Sequence, residues 1–339
     1  MKINRDEFIE VLIKIRPGLS RKNIIEQSTH FVFTGKTIVT YNDQISISYP
    51  FESDFICSVD ADKFYKILFG ISSKEIELSF IENKLEIKGK GTKAALVTMQ
   101  EGPIYERLET LDIDKGRWQK VPDDFLEGLF FCMFSASKDL SLQELTCIFV
   151  DKTIMVSSDD IRISQYKMEK GVRDSFLIPA SSVSEMKNYN FEEYKVGDSW
   201  IHFKTKEEAI FSVRRIQGEF NYEWESFFEV EGEEVIFPKT LKEAIQSTEI
   251  LAEGDFDIDK EIKVIIENSK IVCRGEGPYG NIEVEEEIKD SSLTLSFFIN
   301  PIFFKEILEK SGNVIIGDGV ALFKSDKFEH VMLLSVGNE

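Results

Sequence analysis

The stretch CIFVDKTIMVSSDDIRISQYKM, residues 147–168, decides the fold. β-Branched and aromatic residues flank the polar pair Asp151-Lys152, so it reads as a strand, a tight turn, a second strand, a polar bend and a third strand. The same phrase occurs twice more, as FVFTGKTIVTYNDQISISYPF from Phe31 and as KVIIENSKIVCRGEGPYGNIEVEEEI from Lys263, with turns at Gly35-Lys36 and Asn268-Ser269. The turns recur at spacings of 116 and 117 residues, which predicts three similar domains at 1–117, 118–232 and 233–339.

Outward from each hairpin the pattern changes to a helical period. An amphipathic helix precedes each one, over Arg5 to Ile15, Pro122 to Phe134 and Pro238 to Ile250, with apolar positions such as Phe8, Val11, Leu12 and Ile15, or Leu241, Ala244, Ile245 and Thr248. A second helix follows in each third, over Asp60 to Phe69, Pro179 to Tyr189 and Pro301 to Lys310, and strands return after it. Four of the six helices are expected to open on proline, where the missing N–H costs nothing. The connections Asp112 to Val121 and Gln217 to Phe237, which carry Trp118 and Trp224, read as ordered straps. The fold class is therefore α+β, with two helix-plus-strands units per domain. Three such domains make an arc, and two arcs joined head to tail would close a ring with helices inside and sheets outside, leaving no exposed sheet edges.

Hydrophobic residues form 42% of the chain and charged residues 30%, the composition of a globular protein. The start, MKINRDEFIEVLIKI, is broken by Asp6, Glu7 and Glu10, and no apolar run reaches membrane-spanning length, so a cytoplasmic location is expected. Cys57, Cys132, Cys147 and Cys273 are scattered singly, which fits buried free thiols in a reducing compartment. The three histidines, His30, His202 and His330, are isolated, and no HExxH, phosphate loop, GxSxG or CxxC is present. No catalytic residue, metal or cofactor is expected. The net charge of −20 argues against nucleic acid only if acid is spread evenly, since an acidic exterior can surround one basic surface.

With these residues in view, the whole chain resembles the bacterial DNA polymerase III β sliding clamp family. SDDIRI at Ser158 to Ile163 is similar to the family's TDGxRL turn, GNIEVEEEI from Gly280 to its GxAxEEI stretch, and INPIFFKEIL from Ile299 to its FNxxYLxDxL helix. The chain departs from the family at its end, FEHVMLLSVGNE, where Leu333 and Leu334 stand in place of Met and Pro. The resemblance implies a processivity factor that encircles duplex DNA without reading its sequence. It also implies a head-to-tail homodimer, and tethering of the polymerase and a clamp-loader ATPase through short peptides.

It further implies a peptide pocket between the second and third domains. Ser158, Asp160, Ile161, Arg162 and Ile163 would form one side, and Asn300, Phe303, Val320, Leu322, Val331, Met332, Leu333 and Leu334 the other. Ordinary strand core is the alternative for the apolar members, and capping or surface roles for Arg162 and Asn300. DNA contact would fall to bases on free helix faces and nearby loops: Arg5, Lys14, Arg16, Arg21, Lys22, Lys63, Lys66, Lys138, Lys239, Lys242, Lys305 and Lys310. A lysine pair is usually solvated surface, but Lys63 and Lys66 recur as Lys239 and Lys242, and point charges suit a ring that must slide. The middle helix has Asp123, Asp124 and Glu127 and no base. The subunit interface would use Ile104, Tyr105 and Leu108 with Ile250 and Leu251, or else these belong to the core. The competing reading is an acidic clamp-like protein that binds replication proteins without encircling DNA.

Overall fold

In a computed structural model, residues 1–22, 25–218, 220, 223–254, 259–288 and 293–335 are described. They divide into two compact units, residues 1–121 with 181–217 and residues 122–180 with 218–339.

The first unit holds an eight-stranded antiparallel sheet, in the order β5 (Cys57–Asp60), β2 (His30–Phe33), β3 (Thr37–Tyr41), β4 (Ile45–Pro50), β16 (Ile210–Arg214), β15 (Trp200–Thr205), β14 (Phe191–Val196) and β9 (Gln119–Lys120). A four-stranded sheet accompanies it, ordered β1 (Lys2–Asn4), β6 (Glu75–Ile81), β7 (Lys84–Gly89) and β8 (Thr92–Val97). The second unit repeats the plan. Its eight strands run β13 (Phe176–Pro179), β10 (Cys147–Asp151), β11 (Ile154–Ser158), β12 (Arg162–Lys167), β24 (Phe328–Leu333), β23 (Val320–Lys324), β22 (Asn313–Ile316) and β17 (Glu233–Ile236). Its four run β20 (Gly280–Glu287), β19 (Lys270–Gly277), β18 (Ile262–Glu267) and β21 (Leu295–Ile299).

The three similar stretches from Phe31, Cys147 and Lys263 are the hairpin trios β2–β3–β4, β10–β11–β12 and β18–β19–β20. Their turns need a left-handed residue, supplied by Gly35 (φ 89°), Lys152 (φ 46°) and Asn268 with Ser269 (φ 51° and 59°). Each large sheet is joined at its middle by strands far apart in sequence, β4 to β16 and β12 to β24.

Helix α1 spans Arg5–Ile15, as its spacing predicts, and Asn4 caps it by accepting from the Asp6 and Glu7 amides. Helices α2 (Ala61–Gly70) and α3 (Pro103–Glu109) follow in the first unit; α3 has no counterpart in the predicted pattern. The remaining helices are shorter than predicted: α4 (Phe125–Cys132), α5 (Ala180–Val183), α6 (Leu241–Thr248) and α7 (Pro301–Leu308), several continued by a 3₁₀ turn. Proline opens α7 alone among the four. Pro122 and Pro238 sit in turns whose carbonyls accept from Phe125 and Leu241, and Pro179 ends β13 opposite Cys147. A proline's fixed φ suits a pre-helical turn or a strand end as well as the first helical position, and the spacing did not distinguish them.

Apolar side chains fill the layer between helices and sheets, including Phe8, Phe31, Phe33 and Phe64 in the first unit and Phe125, Phe176, Phe304 and Phe323 in the second. All four cysteines are free and buried, and burial raises their thiols, Cys57 and Cys273 to about 12 and Cys147 to about 11. No described helix is long and apolar enough to cross a membrane.

Candidate partner groove and nucleic-acid interface

The predicted pocket residues converge on the β12–β24 seam. Arg162 pairs with Met332 and Ile163 with Val331, while Val320 and Leu322 on β23 pair with Leu333 and Val331. Ser158 faces Ile163 across β11–β12. Side chains alternate between the faces of a sheet, so this register sorts the set into two. Ser158, Ile163, Val320, Leu322, Val331 and Leu333 share one face, away from the helices. Arg162 and Met332 lie on the other, against α7 and the 3₁₀ turn Met133–Ser135.

Arg162 is therefore a fastener inside the unit, a correction to its place in the pocket lining. Its side chain is 2% exposed and its Nε donates to Asp159 at 2.9 Å, Nη1 to Glu306 at 2.7 Å and Nη2 to the Phe134 carbonyl at 2.5 Å. The guanidinium lies 3.7 Å from the centre of the Phe303 ring, so Phe303 belongs to the same contact. Asn300 is the cap of α7, accepting from Ile302 at 2.9 Å and Phe303 at 3.1 Å. Beneath them His330 takes part in hydrogen bonds with Ser164 and Ser135, and burial holds its imidazole well below its usual range. Asp160 adopts φ 69° at the bend, where the Asp159 carboxylate accepts from the Ile161 and Arg162 amides. Leu334 is buried beside the seam, donating to Gly319.

The outward set has an exposed rim. Leu333 is 54% exposed and Ile161 41%, joined by a hydrogen bond from the Leu333 amide to the Ile161 carbonyl. The 3₁₀ turn Glu225–Phe228 packs against β24 and leaves Phe227 56% exposed.

The basic candidates differ sharply in freedom. Lys14, Arg16, Arg21, Lys22, Lys63, Lys66, Lys138 and Lys239 are exposed. Lys63 pairs with Asp60 at 3.4 Å and Lys66 with Asp62 at 3.0 Å, contacts that water screens and that cost little to exchange. Arg16 lies over Tyr65 and Lys14 over Tyr49. Lys242 pairs with Glu309 and Lys305 with Glu249. Two candidates point inward. Arg5 donates to the Ile71 carbonyl, tying α1 to the end of α2, and Lys310 donates to the Phe130 carbonyl at 3.2 Å with its ammonium over Phe131 and Phe134. Burial lowers the Lys310 pKa, which reflects packing rather than a solvated cation.

No protein-family model and no curated protein matches the sequence. Solved structures do. The DNA polymerase III beta chain of Streptococcus pneumoniae superposes with a TM-score of 0.84 over 99% of each chain at 18% identity. The Bacillus subtilis sliding clamp gives 0.82 over 99% of each at 15%, and a Pseudomonas aeruginosa DnaN sliding clamp bound to griselimycin gives 0.82 over 99% of each at 16%. The chain has the sliding-clamp fold.

Within this clamp fold the expected interface residues separate. Ile104 is fully buried in a cluster with Val32, Val39, Tyr41, Leu111 and Trp200, so it is core and unable to meet a partner. Tyr105 and Leu108 pack on that cluster, and the Tyr105 hydroxyl donates to the Met99 carbonyl. Ile250 is 77% exposed on the 3₁₀ turn that ends α6, and Leu251 beside it is half-buried. Two features of the fold were not legible in the sequence. Phe227 was passed over as part of a strap, and helix α3 was hidden because Glu106, Arg107 and Glu109 interrupt its apolar positions; Gly102 followed by Pro103 was the available signal.

Proposed function

We propose that the chain is a sliding clamp, a non-enzymatic processivity factor that closes as a head-to-tail homodimer around duplex DNA and tethers polymerase and clamp-loader proteins by short peptides. The observation that carries this is the superposition on DNA polymerase III beta subunits over 99% of both chains. Within each chain we read three repeats, 1–117, 118–232 and 233–339.

Charge placement supports the reading. Helices α1, α2, α6 and α7 set Arg5, Lys14, Lys63, Lys66, Lys242 and Lys305 against a similar number of carboxylates. The acid surplus lies elsewhere, as on β20 with Glu283, Glu285, Glu286 and Glu287. Phosphate contact through exposed lysines, without base readout, suits sliding. Among the strands at sheet edges are β8 with Lys93 and β20 with its glutamates, one at the edge of each four-stranded sheet. Pairing β8 of one chain with β20 of the next would join unlike charges and remove both edges.

The second reading, an acidic clamp-shaped interaction protein, is favoured by the carboxylate already beside Lys63, Lys66, Lys242 and Lys305. One experiment separates them. The chain is loaded on nicked circular plasmid with a bacterial clamp-loader ATPase and filtered, before and after linearisation. A clamp stays on circles, runs off linear DNA and sediments at twice its 39.0 kDa chain mass. A monomer with equal retention on both DNAs sinks the proposal.

A further inference from the structure

The β4–β16 seam of the first unit and the β12–β24 seam of the second are built on one plan, and their pairing aligns them residue by residue. Thr40 donates to the Ile15 carbonyl at the end of α1 and Ser157 to that of Cys132 at the end of α4, so Lys14 occupies the place of Phe131. Ile47 faces Thr40 and Ser164 faces Ser157, which sets Tyr49 in the place of Tyr166. Across the seams Phe211 partners Ile47 and His330 partners Ser164, which sets Ala209 in the place of Phe328.

In the second unit these three places form one aromatic cluster. The Phe131 ring lies 5.7 Å from Tyr166 and 4.8 Å from Phe328, and Tyr166 and Phe328 are buried. In the first unit two of the three rings are gone. Lys14 and Ala209 leave a cavity of about 410 Å³ beside Tyr49, which is only half-buried. Tyr189 and Phe191 line the same cavity, their rings stacked at 4° with centres 5.6 Å apart. Phe211 meets Tyr189 edge-on at 4.9 Å, Phe203 lies 5.1 Å from Phe191, and the Tyr189 hydroxyl donates to the Lys14 carbonyl. These contacts hold the two rings in place without an occupant, so the cavity is preformed.

The polar groups around it are of both signs. Lys14 and Lys206 stand with Glu192 and Glu207, and Asn188 and Asn190 supply amides. The Glu207 carboxyl is held below its usual range by its own amide and the Thr205 hydroxyl, with Lys14 and Lys206 adding to the effect. Both ammonium groups thus already have an ionised carboxylate at hand, which counts against a phosphate. Side-chain amides, each a donor and an acceptor, suit a peptide backbone instead.

We propose that this cavity is a docking site distinct from the β12–β24 seam, and that it takes one aromatic side chain of a partner's peptide segment, completing the ring cluster that Phe131 and Phe328 complete in the second unit. A fully enclosed aromatic side chain buries roughly 150–250 Å², and ring-on-ring contact adds to that gain. The cavity lies wholly within the first unit, so the inference goes beyond the clamp reading and does not depend on ring closure or DNA.

The test rebuilds the missing rings. N-Acetyl-tryptophanamide is titrated into the full chain without DNA and followed by ligand-observed nuclear magnetic resonance. The expected result is saturable binding, roughly tenfold tighter than that of N-acetyl-leucinamide, indole or adenosine monophosphate, and lost in the double variant Lys14→Phe with Ala209→Phe. Lys14→Phe alone, a change at an exposed position, is expected to weaken binding at least about threefold and serves where the double variant does not fold. No saturable binding, undiminished binding by the variants, or any of the three comparison ligands binding as tightly as the amide overturns the inference. Binding that is lost in Leu333→Asp and kept in the Lys14 variants places the ring in the second unit and overturns it as well. Failure of the unaltered chain to stay on circular DNA counts against the clamp reading alone.

Discussion

Replacing Arg162 by Met separates fastening from docking. Methionine keeps most of the apolar stem on Phe303 and removes the hydrogen bonds to Asp159, Glu306 and the Phe134 carbonyl. Breaking a buried ion pair by deleting one partner costs about 3–5 kcal/mol. Glu306 is 36% exposed and turns to water, which places this case at the low end, ~3 kcal/mol. For a unit of this size 1 kcal/mol moves the melting temperature by about 2–4 °C, so Arg162→Met is expected to melt roughly 6–12 °C below the unaltered chain. The assay is thermal unfolding followed by circular dichroism, beside Leu333→Asp, whose exposed side chain predicts a change within about 2 °C. Arg162→Met melting with the unaltered chain while losing griselimycin affinity would refute the reasoning, since the guanidinium would then be a ligand contact.

Three further outcomes are expected. Lys195 donates to the carbonyls of Ile113 and Lys115, so Lys195→Met strands both and costs ~2 kcal/mol; limited proteolysis within residues 112–118 accelerates, and an unchanged cleavage rate would show the strap held by other contacts. His202 is held neutral by burial, with Lys195 adding to the effect, its pKa lowered to about 4, whereas the unfolded chain takes up this proton near 6.5. Its stabilising contribution is thus complete above about pH 6.5 and is lost as pH falls toward 4, amounting to ~2 kcal/mol at pH 5. In His202→Gln the drop in urea midpoint between pH 7 and pH 5 shrinks accordingly, and an identical drop contradicts the assignment. Ile250→Asp places a charge on an exposed apolar side chain beside β20 and is expected to sediment as monomer; an unaffected dimer removes Ile250 from the interface.

What could be read in the sequence, and what could not, follows the range of each interaction. The three hairpin trios were legible because a tight turn is set by neighbours: Gly35, Lys152 and Asn268 lie within a few residues of everything they organise. Helix α1 was legible to its ends, since Asn4 and the period of Phe8, Leu12 and Ile15 are local as well. The β12–β24 seam was legible only as a set of residues. Ser158 to Ile163 and Val331 to Leu334 do meet, but which of them share a face depends on a register between Arg162 and Met332, set by packing across the chain rather than by either segment. A shift of one residue would exchange the two faces, sending the arginine outward and Ile163 and Val331 against the helices. The ion pair of the buried Arg162 with Asp159 opposes that shift, because an outward arginine would leave the largely buried Asp159 carboxylate without it. The arginine thus holds the aliphatic face outward, so the motif that carries the family resemblance supplies the fastener of the seam as well as one of its strands.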